Sequence, residues 1–555
     1  MGEEKGGRCC RCCTTVVTIS ILIVVSVLLI CLGAGSIPFL TNFYKDTVLK
    51  QLVMKYSDSS GGNEAYKNWN SPPAPVYMQF YMFNYTNVDE IINEKAKPNV
   101  TQLGPYSYRE VRENVILHQN ENEITYLQNY SYVFDPATSC ANCSENDTII
   151  TPNLAVITFQ AKLKDLNITP QSGFVKRWAI EALDKLLNND KTYKMFIPLP
   201  VHELLWGYTS PFLDHLEGLI PKVIRNLIPN LPPPFIALQQ NGTAGAVAVG
   251  NITILTGKED INKVQITTKW RGKNSTGSWN GDEFTNFWQT PYGNMINGTD
   301  GSHFQPYISK DDVIYIFNPQ LCRSLYLNYQ RDTSIMDIKL LRYTTRAKIF
   351  QNYTANPDNK AFCGPKRCYP SGLLPVGQCQ PGNPPVFMSS PHFYQGYPAL
   401  WQSFNGLHPE TDLHETYLSI EPTTGIVMDA HKRLQINVNI QKVPYISRTD
   451  VFPEQDNFYP VLFVHEYATI DKASADRFKK EVMLPKQMIT IMEYGLIGLG
   501  GLFLIIALVL GARHQRKKNQ QSVYTEFSNE DNEKNIQQTE QEREPTTTTT
   551  PKLTP

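Results

Sequence analysis

Asparagine and cysteine carry the reactive spacings in this sequence. Acceptor frames N-x-[ST] begin at Asn84, Asn99, Asn129, Asn142, Asn146, Asn167, Asn241, Asn251, Asn274, Asn297 and Asn352. The asparagine amide in that frame receives an N-linked glycan, a chemistry confined to the lumenal side of the secretory pathway and to exposed loops. Cys9, Cys10, Cys12 and Cys13 stand beside Arg8 and Arg11 just ahead of a long apolar run. Juxtamembrane thiols in such a setting are candidates for S-palmitoylation, and no histidines accompany them to complete a metal cluster. Farther along lie Cys140, Cys143, Cys322, Cys363, Cys368 and Cys379. An even set in an oxidising compartment argues for disulfides, and spacing alone leaves their pairing open.

Catalysis finds no frame here. The C-x-x-C segment at Cys140 and Cys143 resembles a thiol redox motif, but Asn142 inside it opens a sequon and Asn146 opens another. A short structural disulfide in a glycosylated loop accounts for it better than a reactive thiolate at a helix start. His408, His414 and His431 are not spaced as H-E-x-x-H, and neither a G-x-S-x-G elbow nor a phosphate-binding glycine loop occurs. The expectation is a protein that is not an enzyme and that uses neither cofactor nor metal.

The glycan acceptors must be held on one side of a membrane, and two runs supply the anchors. Between Arg11 and Lys45 no Asp, Glu, Lys or Arg occurs, and residues 16 to 32 read VVTISILIVVSVLLICL. Residues 494 to 512, YGLIGLGGLFLIIALVLGA, are likewise uncharged. At ~1.5 Å per residue each run matches the ~30 Å hydrocarbon thickness as a helix. The first exceeds the ~7 to 15 apolar residues of a signal peptide, so it reads as an uncleaved anchor. Arg8 and Arg11 before the first run, and Arg513, Arg516, Lys517 and Lys518 after the second, put both termini in the cytosol. All the acceptor asparagines then fall on the non-cytosolic side, which agrees independently.

This divides the chain into a cytosolic segment 1–13, a transmembrane helix 14–36, an ectodomain 37–490, a second transmembrane helix 491–512 and a cytosolic tail 513–555. The tail is polar, ends EREPTTTTTPKLTP and is expected to be disordered. With 51 basic against 52 acidic residues, the chain has no global charge bias toward nucleic acid.

Within the ectodomain, Val76, Met78, Phe80 and Met82 alternate with Tyr77, Gln79, Tyr81 and Phe83, a strand period. Further strands are expected at 251–256, 263–270, 312–317 and 433–440. Helical period concentrates at about 151–219. In FVKRWAIEALDKLL, the residues Phe174, Trp178, Ile180, Ala182, Leu183, Leu186 and Leu187 read as one covered apolar stripe. A helical insertion in a mainly antiparallel β protein makes the fold class α+β.

Several strings together resemble one family, the class B scavenger receptors, which includes a fatty-acid translocase glycoprotein and a lysosomal integral membrane protein. They are PPAPVYMQFYMFNYTN (72 to 87), QLGPYSYRE (102 to 110), ELLWGY (203 to 208), NMINGTDG (294 to 301), LCRS (321 to 324), SPHFYQG (390 to 396) and HETYLSIEPTTGIVMDAHKRLQINV (414 to 438), in family order between two terminal spans. The resemblance implies a large antiparallel, β-barrel-like ectodomain with an apical helical bundle at about 151–219. It implies a receptor that binds lipids, lipoproteins or anionic ligands at that bundle and passes lipid through an apolar tunnel toward the membrane, at the plasma membrane or in endolysosomal membranes. The alternative is a lysosomal membrane structural protein or a sorting receptor for a lumenal protein cargo.

On the same resemblance Cys322 pairs with Cys379 and Cys363 with Cys368, while Cys140 and Cys143 have no family counterpart. Candidate ligand contacts are Lys176, Arg177, Lys185, Lys191 and Lys194, whose charge suits anionic ligands. The lysosomal member uses a histidine in this bundle for acid release, whereas 151–201 here contains none, which puts delivery of a lysosomal hydrolase in doubt. His202 and His215 lie nearby and suit packing or surface roles. In the tail, Tyr524 and Phe527 fit the Tyr-x-x-apolar signal read by cytosolic sorting adaptors.

Overall fold

The computed structural model describes residues 4–57, 61–169, 171–219, 226, 228, 232–239, 241–364, 367–380 and 382–541. The side chains of 4–13 lie outside that description, and with them the thiols of Cys9, Cys10, Cys12 and Cys13. Two compact units form, 48–478 and the pairing of 1–47 with 479–555.

The larger unit is built on an antiparallel sheet of eleven strands. Its main path runs Val313–Asn318, Arg323–Ile335, Ile338–Thr344, Tyr417–Ile420, Val427–Asn439, Phe458–Thr469, Val76–Tyr85, Val100–Arg112 and Tyr130–Phe134; Val386–Ser389 joins Val427–Asn439 and carries Leu374–Pro375. The alternation read at 76–83 does form a strand, but a bulge between Phe80 and Met82 shifts the phase, so that Met82 and Phe83 are both buried. The runs at 251–256, 312–317 and 433–440 also lie in strands, while 261–263 is a 3-10 turn that precedes the Thr267–Trp270 strand.

The barrel-like expectation is corrected: the sheet is open. Residues 297–301 lie along the outer edge of Val313–Asn318, with Thr299 N donating to Tyr315 O at 3.2 Å and Phe317 N to Thr299 O at 2.9 Å. Gly298 presses on that edge at φ +92°, where a Cβ would stand 2.0 Å from Tyr315 O. At the far end, Trp206 stacks on Tyr132 of Tyr130–Phe134, ring centroids 5.3 Å apart. The two end strands do not pair with each other, and the Val313–Asn318 edge is covered, one of the ways sheets avoid exposed ladders.

Long central strands bury both faces, and each face holds polar groups that must be satisfied. On one, Arg112 pairs with Glu110 at 3.0 Å and Asp300 at 3.4 Å, and Lys432 with Glu466 at 3.0 Å. Burial raises the Glu110 carboxyl. Burial also opposes ionisation of Asp300, but Arg112 and Lys432 outweigh it and hold that carboxyl below its ordinary range. On the other face, His392 and His414 are buried and stack at 4.4 Å. His392 Nδ1 accepts His408 N–H at 2.9 Å, and His414 Nδ1 accepts Glu410 N–H at 2.8 Å, so both rings are held neutral at that nitrogen. The His392 Nε2–H then donates to Gln102 Oε1 at 2.6 Å.

In the smaller unit, the helices Glu4–Leu52 and Leu484–Gln541 are long and apolar enough to cross a membrane. They meet through small residues, as lipid-embedded helices do. Ser26 Oγ donates to Gly500 O at 2.8 Å, a Cβ on Gly500 would stand 2.7 Å from Ile30, and one on Gly33 would stand 2.8 Å from Ile497. Val24, Leu28, Leu32, Leu502, Ile505 and Leu508 point outward and exposed, an arrangement that is favourable in hydrocarbon and costly in water. The tail differs from expectation: 513–541 continues the second helix. It is rich in Arg, Lys, Glu and Gln and has neither Gly nor Pro, so backbone propensity favours helix without a core to pack on. Residues 542–555 lie outside the described residues.

The neutral histidine pair sets an acid limit on stability. Burial depresses His392 to about 3, with His414 and His408 adding to it, and depresses His414 to about 4, with Arg433 adding. Released by unfolding, each regains its ordinary 6.5. The stabilisation is therefore present above pH 6.5 and is lost as pH falls from there toward 4, at about 1.4 kcal/mol per pH unit per histidine. Thermal unfolding of the full chain in detergent should show Tm falling across that window, and a flat profile between pH 7 and pH 5 would contradict the neutral pair.

Candidate ligand-binding surface

The helical insertion opens on the strand pair Thr148–Pro152 and Phe196–Pro200. Asn153 follows the first strand, its Nδ2 donating to Lys194 O at 2.8 Å, and caps the Leu154–Asp165 helix. That helix buries seven consecutive residues, 154–160, and so occupies the interior. Phe159 meets Phe212 of the Pro211–Leu219 helix edge-on at 5.4 Å, and Gln160 Nε2 donates to Tyr193 OH at 2.7 Å. Burial raises the Tyr193 phenol above its ordinary range.

The Phe174–Asn189 helix is fastened at its C-terminal end. Asp184 accepts Ser447 N–H at 2.9 Å, and Arg448 Nη2 donates to Asn188 O at 2.8 Å. Arg448 Nη1 donates to Tyr193 O at 2.5 Å, holding the turn that carries Lys191 and Lys194. The buried residues are Ala179, Ile180, Leu183 and Leu187. The first turn departs from the expected covered stripe: Phe174 is 82% exposed, Val175 62% and Trp178 56%. Helical geometry explains the departure, because at 100° per residue Phe174 and Trp178 lie 120° or more from Ile180, Leu183 and Leu187. There are two apolar stripes, and among the described residues one is covered while the other is exposed.

The five candidate cations do not form one cluster. Lys185 follows Phe174 and Trp178 at i+11 and i+7 on the outward face, and it is exposed. Lys176 is exposed in the first turn, and the Arg177 guanidinium is half-buried 6.0 Å above the Tyr445 ring. Lys191 and Lys194 are exposed in the turn beyond the helix. Sequence reasoning missed Phe174, Val175 and Trp178 as surface groups, although separating the stripe into its two angular sets would have found them. His202 is half-buried with Nδ1 3.1 Å from Glu145 O, and His215 is exposed.

The cysteines and acceptor asparagines take definite places. Cys140 is bonded to Cys143, and Cys363 to Cys368. Cys322 and Cys379 are not bonded in this structure; they stand as neighbouring thiols, with Cys379 pushed up by burial and then by its hydrogen bond to Cys322. Asn142, Asn146, Asn167, Asn241 and Asn274 are exposed, whereas Asn84, Asn99, Asn129, Asn251, Asn297 and Asn352 are half-buried. Asn352 already spends its amide N–H on Tyr369 O at 2.9 Å. Tyr524 and Phe527 are exposed on the tail helix.

A wide antiparallel sheet with a helical insertion, in a chain that carries an apolar helix long enough to cross a membrane toward each end, defines the class of a membrane-anchored protein. The family model described as the CD36 family matches residues 23–511. Lysosome membrane protein 2 of Homo sapiens is 33% identical over 517 residues, which cover 92% of this chain and 96% of that protein. Scavenger receptor class B member 1 of Rattus norvegicus is 29% identical over 490 residues, covering 88% and 89%. The chain belongs to the CD36 family.

Covering an exposed Trp side chain with apolar matter is worth about 1.5–3 kcal/mol, a factor of about ten or more in affinity. Trp178→Glu should therefore weaken association of the nanodisc-embedded full chain with phosphatidylserine-containing vesicles about tenfold in a flotation assay. Leu183→Ala, on the buried face, should lower Tm instead. Equal binding by wild type and Trp178→Glu would remove this surface from consideration.

Proposed function

We propose that the protein is a scavenger-type membrane receptor that captures lipid, lipoprotein or other anionic ligands on the 151–219 segment and passes lipid through an apolar passage toward the bilayer. The observation that carries this reading is the outward face of Phe174–Asn189, where Phe174 and Trp178 stand in solvent beside Lys185 while the opposite face is buried. Aromatic rings gain by being covered with acyl chains, and lysines draw in an anionic surface. An apolar passage would spare an acyl chain ~0.8 kcal/mol per CH₂ of hydration cost. In this reading the helical segment is the apex, both termini are cytosolic, the acceptor asparagines carry glycans and Cys322 pairs with Cys379 in the oxidising lumen. Family membership supports the receptor class, and the juxtaposed thiols support the pairing.

A purified full chain in nanodiscs should retain co-purifying lipid, identified by mass spectrometry, and should speed transfer of a fluorescent fatty acid from donor to acceptor vesicles. Charge reversal at Lys191 and Lys194 should reduce uptake of anionic ligands and leave uncharged lipid transfer intact. Absence of both retention and transfer would end the lipid reading.

A second reading, residence in lysosomal membranes with a sorting or structural role, is favoured by the similarity to lysosome membrane protein 2 and by the exposed Tyr524 and Phe527. Imaging Tyr524→Ala separates the two: a shift from internal membranes to the cell surface supports adaptor sorting, and an unchanged distribution counts against it.

A further inference from the structure

Away from the helical segment, the Pro398–Gln402 helix and the turn after it frame a surface depression of about 520 Å³. Trp401, Phe404 and Leu407 give it an apolar floor, with Gln402, Asn405 and His408 as polar groups around it. A few placed polar groups on an apolar base suit a small polyhydroxylated ligand.

One wall is locked to the start of the Val100–Arg112 strand. Asn405 N donates to Pro98 O at 2.9 Å, and Val100 N donates to Asn405 O at 3.0 Å. Gly406 closes the seam at φ +97°, where any Cβ would come within 2.0 Å of Val100 O. Between these backbone bonds lies Asn99, an acceptor asparagine. Its Oδ1 accepts the Asn405 side-chain N–H at 2.6 Å, while its backbone N–H donates to Asn87 Oδ1 at 2.8 Å. The Asn99 amide is thus oriented by a residue that lines the depression. N-glycosylation consumes the amide nitrogen and leaves the oxygen as acceptor, which is the way this contact uses the group.

We propose that the depression is a seat for the chain's own Asn99-linked glycan, whose first sugars rest on Trp401 and bond to Gln402 and His408. The proposal rests on the reading that Asn99 carries a glycan. Most N-glycans swing free from their asparagine; this one leaves from an amide pinned by Asn405 at the rim of a preformed cavity. Covering Trp401 also braces the turn whose His408 N–H is donated to His392. The sugar therefore reinforces the connection between the outer turn and the buried histidine pair.

The test is native deglycosylation of the full chain in detergent, followed by glycopeptide mass spectrometry. Release at Asn99 should run at least about threefold slower than at the exposed Asn167 and Asn274, since cleavage must await local opening. Trp401→Ala should bring Asn99 to their rate. In parallel, Thr101→Val, at an exposed position that the sequon requires, should speed hydrogen exchange of the 400–410 backbone relative to wild type. Asn99 found without glycan overturns the proposal together with the reading of that acceptor. Asn99 occupied but released as fast as Asn274, or exchange at 400–410 unchanged by Thr101→Val, overturns the seat alone.

Discussion

The pairing of the first long strand of the sheet domain with the last is the interaction on which the rest depends. Val76 lies opposite Ala468, and the register continues to Met82 opposite Leu462. Rings reinforce the seam, with Tyr81 stacked on Phe463 at 4.4 Å and Tyr77 on Tyr467 at 5.3 Å. Tyr85 OH donates to Pro460 O at 2.8 Å. Closing so long a loop costs little more than closing a short one, about 0.6 kcal/mol for each doubling of length, and burial of Phe80, Met82 and Phe463 exceeds that many times over. Because the two strands are antiparallel, the chain enters and leaves the sheet at the same end. A protein anchored at both termini needs that property, and the terminal helices independently pack on each other through Ser26, Gly33 and Gly500.

The same seam separates two chemistries. Glu466 and Lys432 face one side and His465 and Arg433 the other, since neighbouring residues on a strand alternate. Charges on the first side survive burial only in mutual contact, and Arg112, Glu110, Asp300, Lys432 and Glu466 provide it. The second side uses neutral imidazoles as fixed acceptors for backbone N–H groups. Arg112 and Lys432 hold the Asp300 carboxyl below its ordinary range, whereas acid attacks the neutral histidines from the first unit below their ordinary pKa. The histidine face is therefore the acid-sensitive one.

Much of this was legible in the residues. Uncharged runs long enough to span a bilayer forecast the two apolar terminal helices. Period-two alternation gave the Val76–Tyr85 strand, because a half-buried surface imposes it directly. Closure was not legible: whether an edge pairs or is covered depends on a distant glycine such as Gly298, whose positive φ has no local signature. The covered stripe at 174–187 was over-read, since apolarity was counted without angle. The helical tail was missed because low hydrophobicity forecasts the absence of a core, and a helix of Arg, Glu, Gln and Lys needs none. Two of the thiol pairs stand as bonds and the third as neighbours, a distinction that spacing cannot express.

In the proposed receptor reading, the selectivity of the helical segment would follow from the balance of its forces. The whole chain carries a formal charge of -1, so no long-range field gathers anions. Lys176, Lys185, Lys191 and Lys194 act only within a screening length of about 8 Å at physiological salt. In that reading affinity would come mainly from covering the exposed Phe174, Val175 and Trp178, and the lysines would contribute orientation and discrimination against uncharged surfaces. Fastening the helix at Asp184 and Asn188 keeps the C-terminal end rigid while the aromatic first turn projects. A fastened base with a projecting apolar tip would suit particles that differ in shape but share an acyl interior and an anionic skin.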